Sequence, residues 1–397
     1  MITGLGVVSA FGLTLDEFWQ GISEGRCVIK RFTPLEGLKI SIGAKLPDYD
    51  ETKLFSADEL PLLDRFSQLA ILAANQAVID AGLENDECLL KAAAIIGSAG
   101  GGKHTDEEGY KKLYKHNRPR VHPLSIPKGM HSAVASSVSK HLGIKGPVFS
   151  VASACSSGAH AIIQASMMIQ LGLIDVALVG GSDAPFSYGL LKAWDAMRVV
   201  SNDVCRPFSK NRNGMSLAEG AGILVLESEE HARKRGARIY SEIAGYAMSS
   251  DAGHITRPDV DNIARTIKNA LQNADMNIEE VDYVNAHGTG TQSNDLAETQ
   301  ALHQVFGDHA KDLAVSSTKS MHGHALGASS AIELIATALT IQHGLIPPTV
   351  NITEVDDECD LDYVANDPRQ QKVNVAISNS FAFGGLNAIL VLKASDG

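Results

Sequence analysis

Cys155 lies in the run SVASACSSGAH, and two distant histidines lie in segments of the same small-residue texture, His287 in NAHGTGT and His324 in KSMHGHALG. Each follows a β-branched apolar run (VFSV, VDYV, LAVSS), so each sits where a strand end can aim a side chain into a cleft. Brought together, a thiol and two imidazoles supply a nucleophile and groups that take a proton or donate N–H hydrogen bonds to a developing enolate or oxyanion. A lone cysteine is more often a small core hydrophobe, and a lone histidine is more often satisfied by a backbone carbonyl. Cys155 is set apart because a strand gives way there to a helix, whose free N–H groups and positive dipole end are expected to favour thiolate and to offer an oxyanion site. The three residues have no short ligand spacing, which argues against zinc.

Two charged residues flank His324: Lys319 five positions before it and Glu333 nine after it, on a helix otherwise built of Ala, Ile and Leu. A charge among apolar residues needs a partner, and a Lys319–Glu333 pair would support the loop between them; a lysine and glutamate on an exposed rim is the alternative. The tail segment NSFAFGGLN sets Phe381 and Phe383 beside two glycines, the composition of a mobile gate that brings a backbone N–H to a substrate carbonyl. GSAGGGK at 97–103 resembles a phosphate-binding loop through its lysine, but His104 stands where Ser or Thr should hold magnesium. The charged continuation TDEEGYKKLYKHN also makes a poor buried helix.

The elements that must position these residues alternate. Apolar runs at 92–98, 146–152, 175–181, 221–227, 281–286, 313–317, 372–378 and 387–393 predict strands, many buried on both faces. Helical patterns span Ser67–Ala81, Ser156–Leu171, Asp261–Ala274, Asp295–Phe306 and Ala328–His343, which gives an α/β fold. An internal echo, MIQLG at 168 and TIQHG at 340, relates two of these helices by an offset of 172 residues and sets Gly327 opposite Cys155. A chain of 397 residues with 44% hydrophobic residues and 36 glycines suits two domains or one duplicated domain. The net charge of −12 argues against a nucleic-acid surface. With no basic residue before Arg26 and no apolar stretch of membrane-spanning length, the expected location is cytoplasmic, without membrane contact. Five cysteines without a CxxC pair fit reduced thiols.

Together, ACSSG around Cys155, NAHGTGT followed by ND, KSMHGHALGAS and NSFAFGG resemble the β-ketoacyl-acyl carrier protein synthases of the elongating, Cys-His-His class, in order and over nearly the whole chain. The resemblance implies a thiolase-like αβαβα layered fold of two similar halves, 1–235 carrying Cys155 and 236–397 carrying His287, His324 and the Phe383 loop. It implies a homodimer or a heterodimer with a chain-length partner. Cys155 would accept an acyl chain from the phosphopantetheine arm of an acyl carrier protein, with the N–H groups of Cys155 and Phe383 as oxyanion hole. Malonyl-carrier would then lose carbon dioxide to an enolate held by His287 and His324, and no cofactor would be needed for catalysis. Lys319 and Glu333 match a supporting ion pair and Asp295 a further supporting residue. Thr289, Thr291, Thr256, Phe381 and Gly100 match substrate- or pantetheine-binding positions. Asn285, Glu333, Ser378 and Asn379 match the surroundings of a structural monovalent cation found in some members.

The same motifs exclude relatives. Priming synthases have asparagine where His324 stands, thiolases have a second catalytic cysteine in the final glycine-rich loop, and chain-length-factor subunits lose the nucleophile. The chain also departs from housekeeping members. ADELPLLD lacks the usual basic residues near position 64, which leaves Arg118, Arg120, Lys128, Arg206 and Lys210 for carrier docking. Gly100 replaces a larger pocket residue and Leu386 a common threonine. General fatty-acid elongation and a specialised polyketide, polyene or nodulation-factor pathway both stay open. The start at MITGLGVVS lies inside the first strand of the family pattern and is expected to be trimmed.

Overall fold

The computed structural model describes residues 1–33 and 36–395. Ten strands build two five-stranded sheets. The first holds β1 (Ile2–Val8), β2 (Ala93–Gly97), β3 (Val148–Val151), β4 (Val176–Asp183) and β5 (Gly220–Glu227), in spatial order β1-β5-β4-β2-β3. The second holds β6 (Glu242–Ser250), β7 (Tyr283–Asn285), β8 (Ala314–Ser316), β9 (Val375–Ala382) and β10 (Leu386–Lys393), in order β6-β10-β9-β7-β8. Counting each set in chain order, the two arrangements are identical, and so are the strand directions: two antiparallel pairs followed by two parallel ones.

Helices fill three layers around these sheets. On the outside of the first sheet lie α1 (Arg65–Asp80) and α2 (Ala133–Leu142); between the sheets lies α3 (Ser157–Gln170). On the outside of the second sheet lie α4 (Val260–Asn273) and α5 (Gln292–Phe306), and α6 (Ser329–His343) shares the middle layer with α3. The result is the five-layered αβαβα arrangement. Sequence chemistry explains the placement. Every residue of α6 from Ser329 to Thr340 is buried, as a helix apolar all round must be. α4 carries its buried residues on one stripe and its charges on the other. Asp64 and Asp259 cap α1 and α4 by accepting the N–H of Phe66 and Asn262, and Gly344 closes α6 in the left-handed region at φ 60°. β4, β5 and β9 are buried throughout, since helices cover both faces of their sheets. β3 departs from that expectation: it is a sheet edge, with Phe149 38% exposed.

The offset of 172 residues is carried into backbone conformation. Ala154 and Leu326 both adopt φ 50°, each opens a three-residue 3-10 turn (Ala154–Ser156 and Leu326–Ala328), and α3 and α6 begin at Ser157 and Ser329. A left-handed alanine or leucine costs roughly 1–3 kcal/mol, so the surrounding packing must enforce both turns. They meet at the centre of the molecule, where a Cβ on Gly158 would lie 3.0 Å from the carbonyl oxygen of Gly327. Among the described residues, no helix is long and apolar enough to cross a membrane.

Candidate active site

Cys155 occupies the first of the twin turns, 8% exposed, one residue after the left-handed Ala154. Serines fix the turn: Ser157 Oγ accepts the Ser153 N–H at 2.9 Å and donates to the Ala154 carbonyl at 2.6 Å, while Ser156 Oγ donates to the Leu386 carbonyl at 2.8 Å and so ties the turn to β10. Phe383 lines the same cavity as the thiol, and its backbone N–H favours the charged form of Cys155. Burial pushes that thiol up to about 12, against the pull of the Lys319 charge and the Phe383 N–H. Desolvation thus opposes the thiolate that the helix end is expected to favour, and it outweighs the positive groups.

His287 and His324 face the same cavity as Cys155, with ring centroids 5.6 Å apart and planes 87° to one another. His287 follows β7, and Glu298 of α5 anchors its backbone by accepting the N–H of His287 at 2.9 Å and of Gly288 at 2.8 Å. Lys319 Nζ donates to the His287 carbonyl at 2.6 Å and stands 3.3 Å from His287 Nδ1. An ammonium has only protons to offer, so Nδ1 accepts and the ring proton sits on Nε2. For His324 the Leu326 N–H donates to Nδ1 at 3.1 Å, which fixes the same tautomer, and Ser329 Oγ lies 2.8 Å from that nitrogen. Burial first, and the Lys319 charge second, hold both imidazoles well below 6.5. Two neutral rings, each with an Nε2–H to donate, thus share a cavity with a thiol.

Lys319 and Glu333 are both fully buried and pair at 2.5 Å, so the exposed-rim alternative is excluded. Burial raises Glu333 to about 7 and Lys319 opposes it. Asp295, also buried, accepts the N–H of Phe208 at 2.9 Å and of Gly290 at 3.2 Å, and so shapes the loop bearing Thr289 and Thr291. Those two hydroxyls lie 2.8 Å apart on the cavity wall, which Thr256, Phe381 and Phe383 also line. His322, two residues before His324, is turned away onto Phe18 and Thr318.

Not every residue singled out from sequence is gathered here. Gly100 does not line the cavity that holds Cys155; it packs on Asp183, where an added Cβ would meet Oδ1 at 3.2 Å. Arg206 is engaged by Asp203 at 2.7 Å and Lys128 by the Pro61 carbonyl at 3.0 Å, which weakens both as docking cations. Lys210, Arg118 and Arg120 are exposed, and none of them lines the cavity. The phosphate-loop reading fails because the N–H groups of Ala99 and Gly100 are taken by Asp183, that of Gly101 by Ser98 Oγ and that of Gly102 by the Gly129 carbonyl.

Sequence reasoning missed three residues. Glu298 lies in α5, three positions beyond Asp295, in a segment whose other polar residues gave no reason to single it out. Arg257 lines the cavity beside Thr256 and is exposed, the one arginine on its wall. Asp183 ends a strand that reads as pure core until its last residue. Among the described residues, no group of three or more His, Cys, Asp or Glu could hold a metal ion. Asn285 Oδ1, Asn379 Oδ1 and Glu333 Oε2 are buried without a hydrogen-bond donor, and Ser378 is buried beside Asn379. Their amide nitrogens are committed, Asn285 to the Tyr283 hydroxyl and Asn379 to Glu298, which leaves the oxygens as acceptors. Such an oxygen set fits a hard cation.

The beta-ketoacyl synthase N-terminal domain matches residues 1–232 and the beta-ketoacyl synthase C-terminal domain residues 240–353. Nodulation protein E of Rhizobium meliloti (strain 1021) is 47% identical over 99% of this chain and 98% of its own. The 3-oxoacyl-[acyl-carrier-protein] synthase 2 of Synechocystis sp. is 40% identical over 99% and 97%. Among solved structures, the ishigamide ketosynthase/chain length factor superposes with a TM-score of 0.94 at 36% identity, covering 99% of this chain and 98% of that one. A thiol that shares a cavity with two Nε2–H donors at the junction of duplicated halves is thus explained by descent as well as by geometry: the chain belongs to the β-ketoacyl synthases, the acyl-transferring condensing enzymes of the thiolase superfamily.

Proposed function

We propose that Cys155, His287, His324 and Phe383 carry out decarboxylative condensation in two half-reactions. An acyl-carrier thioester meets the Cys155 thiol; the acyl carbon bonds to Sγ, its bond to the pantetheine sulfur breaks, and the thiol proton passes to that leaving sulfur. The N–H groups of Cys155 and Phe383 hold the oxyanion of the tetrahedral intermediate. Malonyl-carrier then loses carbon dioxide, and the Nε2–H groups of His287 and His324 stabilise the thioester oxygen as it takes up enolate charge. The enolate carbon bonds to the acyl carbon, the acyl–Sγ bond breaks, Cys155 leaves as thiolate and regains its proton from solvent, and the product is a 3-ketoacyl chain two carbons longer. The observation that carries this reading is the tautomer of both histidines: their Nδ1 atoms accept, so both are donors and neither is a base poised to deprotonate the thiol.

The roles of the remaining residues follow. Lys319 and Glu333 hold His287, Asp295 holds the Thr289–Thr291 loop against the pantetheine arm, and Thr256 and Phe381 complete its channel. Arg257, unpaired among the described residues, and exposed Lys210, Arg118 and Arg120 are the cations we assign to the acyl carrier protein. Asn285, Glu333, Ser378 and Asn379 would hold a structural monovalent cation; an increase in melting temperature with potassium or sodium over choline chloride would test it. We read the protein as a cytoplasmic dimer, either a homodimer or a pair with a chain-length partner. The greater identity to nodulation protein E than to synthase 2 relatives supports a specialised acyl chain over general elongation. Intact-mass measurement after mixing with a panel of acyl-carrier thioesters tests the whole: an adduct on Cys155 is expected, its chain-length optimum reports the pathway, and no adduct at any length would sink the reading.

A further inference from the structure

The second twin turn has an occupant that the condensation reaction does not use. Asp183 is fully buried, has no ion pair among the described residues, and is met only by donors. Ser98 Oγ and the Gly100 N–H reach Oδ1, both at 2.9 Å; the N–H groups of Ala99 and Gly327 reach Oδ2 at 2.8 and 2.7 Å. Four donors and no cation make a carboxylate that is satisfied as an acceptor although burial pushes it up. Gly327 is the residue related to Cys155 by the offset of 172. In the first turn an N–H faces the thiol cavity; in the second, the equivalent N–H is closed by an internal anion. Glycine at 100 and 327 is what lets the chain approach, since a Cβ on Gly327 would come within 2.7 Å of Oδ2.

Two segments are tied by this one side chain. The Ser98–Gly101 turn follows β2 and packs through Ala99 beside Leu326. The 324–329 turn carries His324, whose Nδ1 is held by Leu326 N–H and Ser329 Oγ and whose own N–H is held by the Ser216 carbonyl at 2.7 Å. We infer that Asp183 is a positioning residue for the condensation: by filling the twin of the Cys155 turn, it locks the His324 turn to the Ser98–Gly101 turn and so fixes the His324 donor relative to Cys155. This rests on the reading of His324 as a donor in decarboxylation.

Asp183→Asn tests it, because an amide keeps the shape but must turn its NH2 toward two backbone or hydroxyl donors. The intact protein is assayed for malonyl-carrier decarboxylation, for Cys155 acylation and for Cys155 alkylation against pH. Expected are a ten- to hundredfold loss of kcat for decarboxylation with KM within threefold, acylation within threefold, and an alkylation profile moved to lower pH as a neighbouring negative charge disappears. A folded variant with a lowered melting temperature but wild-type kcat and pH profile overturns the inference. Should Asp183→Asn not fold, Ser98→Ala removes one donor only; a three- to tenfold loss of kcat for decarboxylation is then expected, and an unchanged kcat overturns it. His324→Ala serves as the control: if it decarboxylates at the wild-type rate, the donor role of His324 fails rather than the lock.

Discussion

The turn at Ala154–Ser156 and the turn at Leu326–Ala328 share backbone, left-handed opening residue and helix, yet one presents a thiol to a cavity and the other is closed by a carboxylate. The difference lies in what meets the N–H of the second residue of each turn. At Cys155 a thiol stands in a cavity that Phe383 also lines. At Gly327 no side chain exists, and the Asp183 carboxylate closes the site from within. Duplication therefore supplies the strained scaffold twice, and chemistry is assigned to one copy by the side chains that converge on it. The C-terminal half has glycine at the position that matches Cys155, and it contributes His287, His324 and Phe383 to the cavity that holds the thiol.

The strongest way to break that contrast is to make the first turn as empty as the second. Cys155→Ala should abolish the acyl adduct and lower condensation by at least about 10⁴-fold, since the covalent route is lost. Malonyl decarboxylation should persist, because its donors come from the other half; loss of both half-reactions in a folded Cys155→Ala protein would mean the halves do not divide the work. Next in size is the support of the second half. Lys319→Met leaves Glu333 buried without a partner and should cost about 3–5 kcal/mol of stability, read by chemical denaturation. A smaller loss would show that water reaches the pair.

Much of this contrast was legible in the sequence, and its limits have physical causes. The echo at 168 and 340 places both central helices to within a residue because a helix buried on all sides must be apolar on all sides, and few other segments are. Cys155, His287 and His324 stand out because small residues crowd them. Less visible were β6 and α2: β6 is only half-buried and carries mixed side chains, and the Ser-rich AVASSVSKHL of α2 has weak helix propensity that tertiary packing on α1 overrides. Asp183 and Glu298 could not be found by pattern, since their partners are backbone N–H groups far away in sequence. Nor could sequence show that Arg206 and Lys128 already have partners.

The division of labour between the halves is tested more finely at the donors. His287→Ala and His324→Ala should each slow decarboxylation about 10²- to 10³-fold, the usual cost of one preorganised oxyanion donor. Acylation of Cys155 should change by no more than a few-fold, because that oxyanion hole is made of backbone N–H groups. Stopped-flow or quenched assays of each half-reaction separate the two. Equal damage to acylation would make the histidines bases for the thiol, against the tautomers that Lys319 and Leu326 impose.

The smallest effect concerns the thiol itself. The two turns are near neighbours, so the carboxylate that closes the second is felt at the first: both Asp183 and Glu333 raise the Cys155 thiol, Lys319 lowers it, and burial exceeds them all. A thiol raised to about 12 is protonated throughout the physiological range, and the sign is simple: thiolate, the form that alkylates, grows as pH rises and does not saturate. Between pH 7 and pH 9 the rate of iodoacetamide labelling of Cys155 should therefore climb about tenfold per unit with no plateau. A plateau with a midpoint below pH 8 would mean that the helix N-terminus and Lys319 outweigh desolvation. The first turn would then be an activated site in the resting enzyme, whereas a continuous climb leaves acylation to the proton transfer from Cys155 to the departing pantetheine sulfur, and makes the arriving substrate part of what distinguishes the first turn from the second.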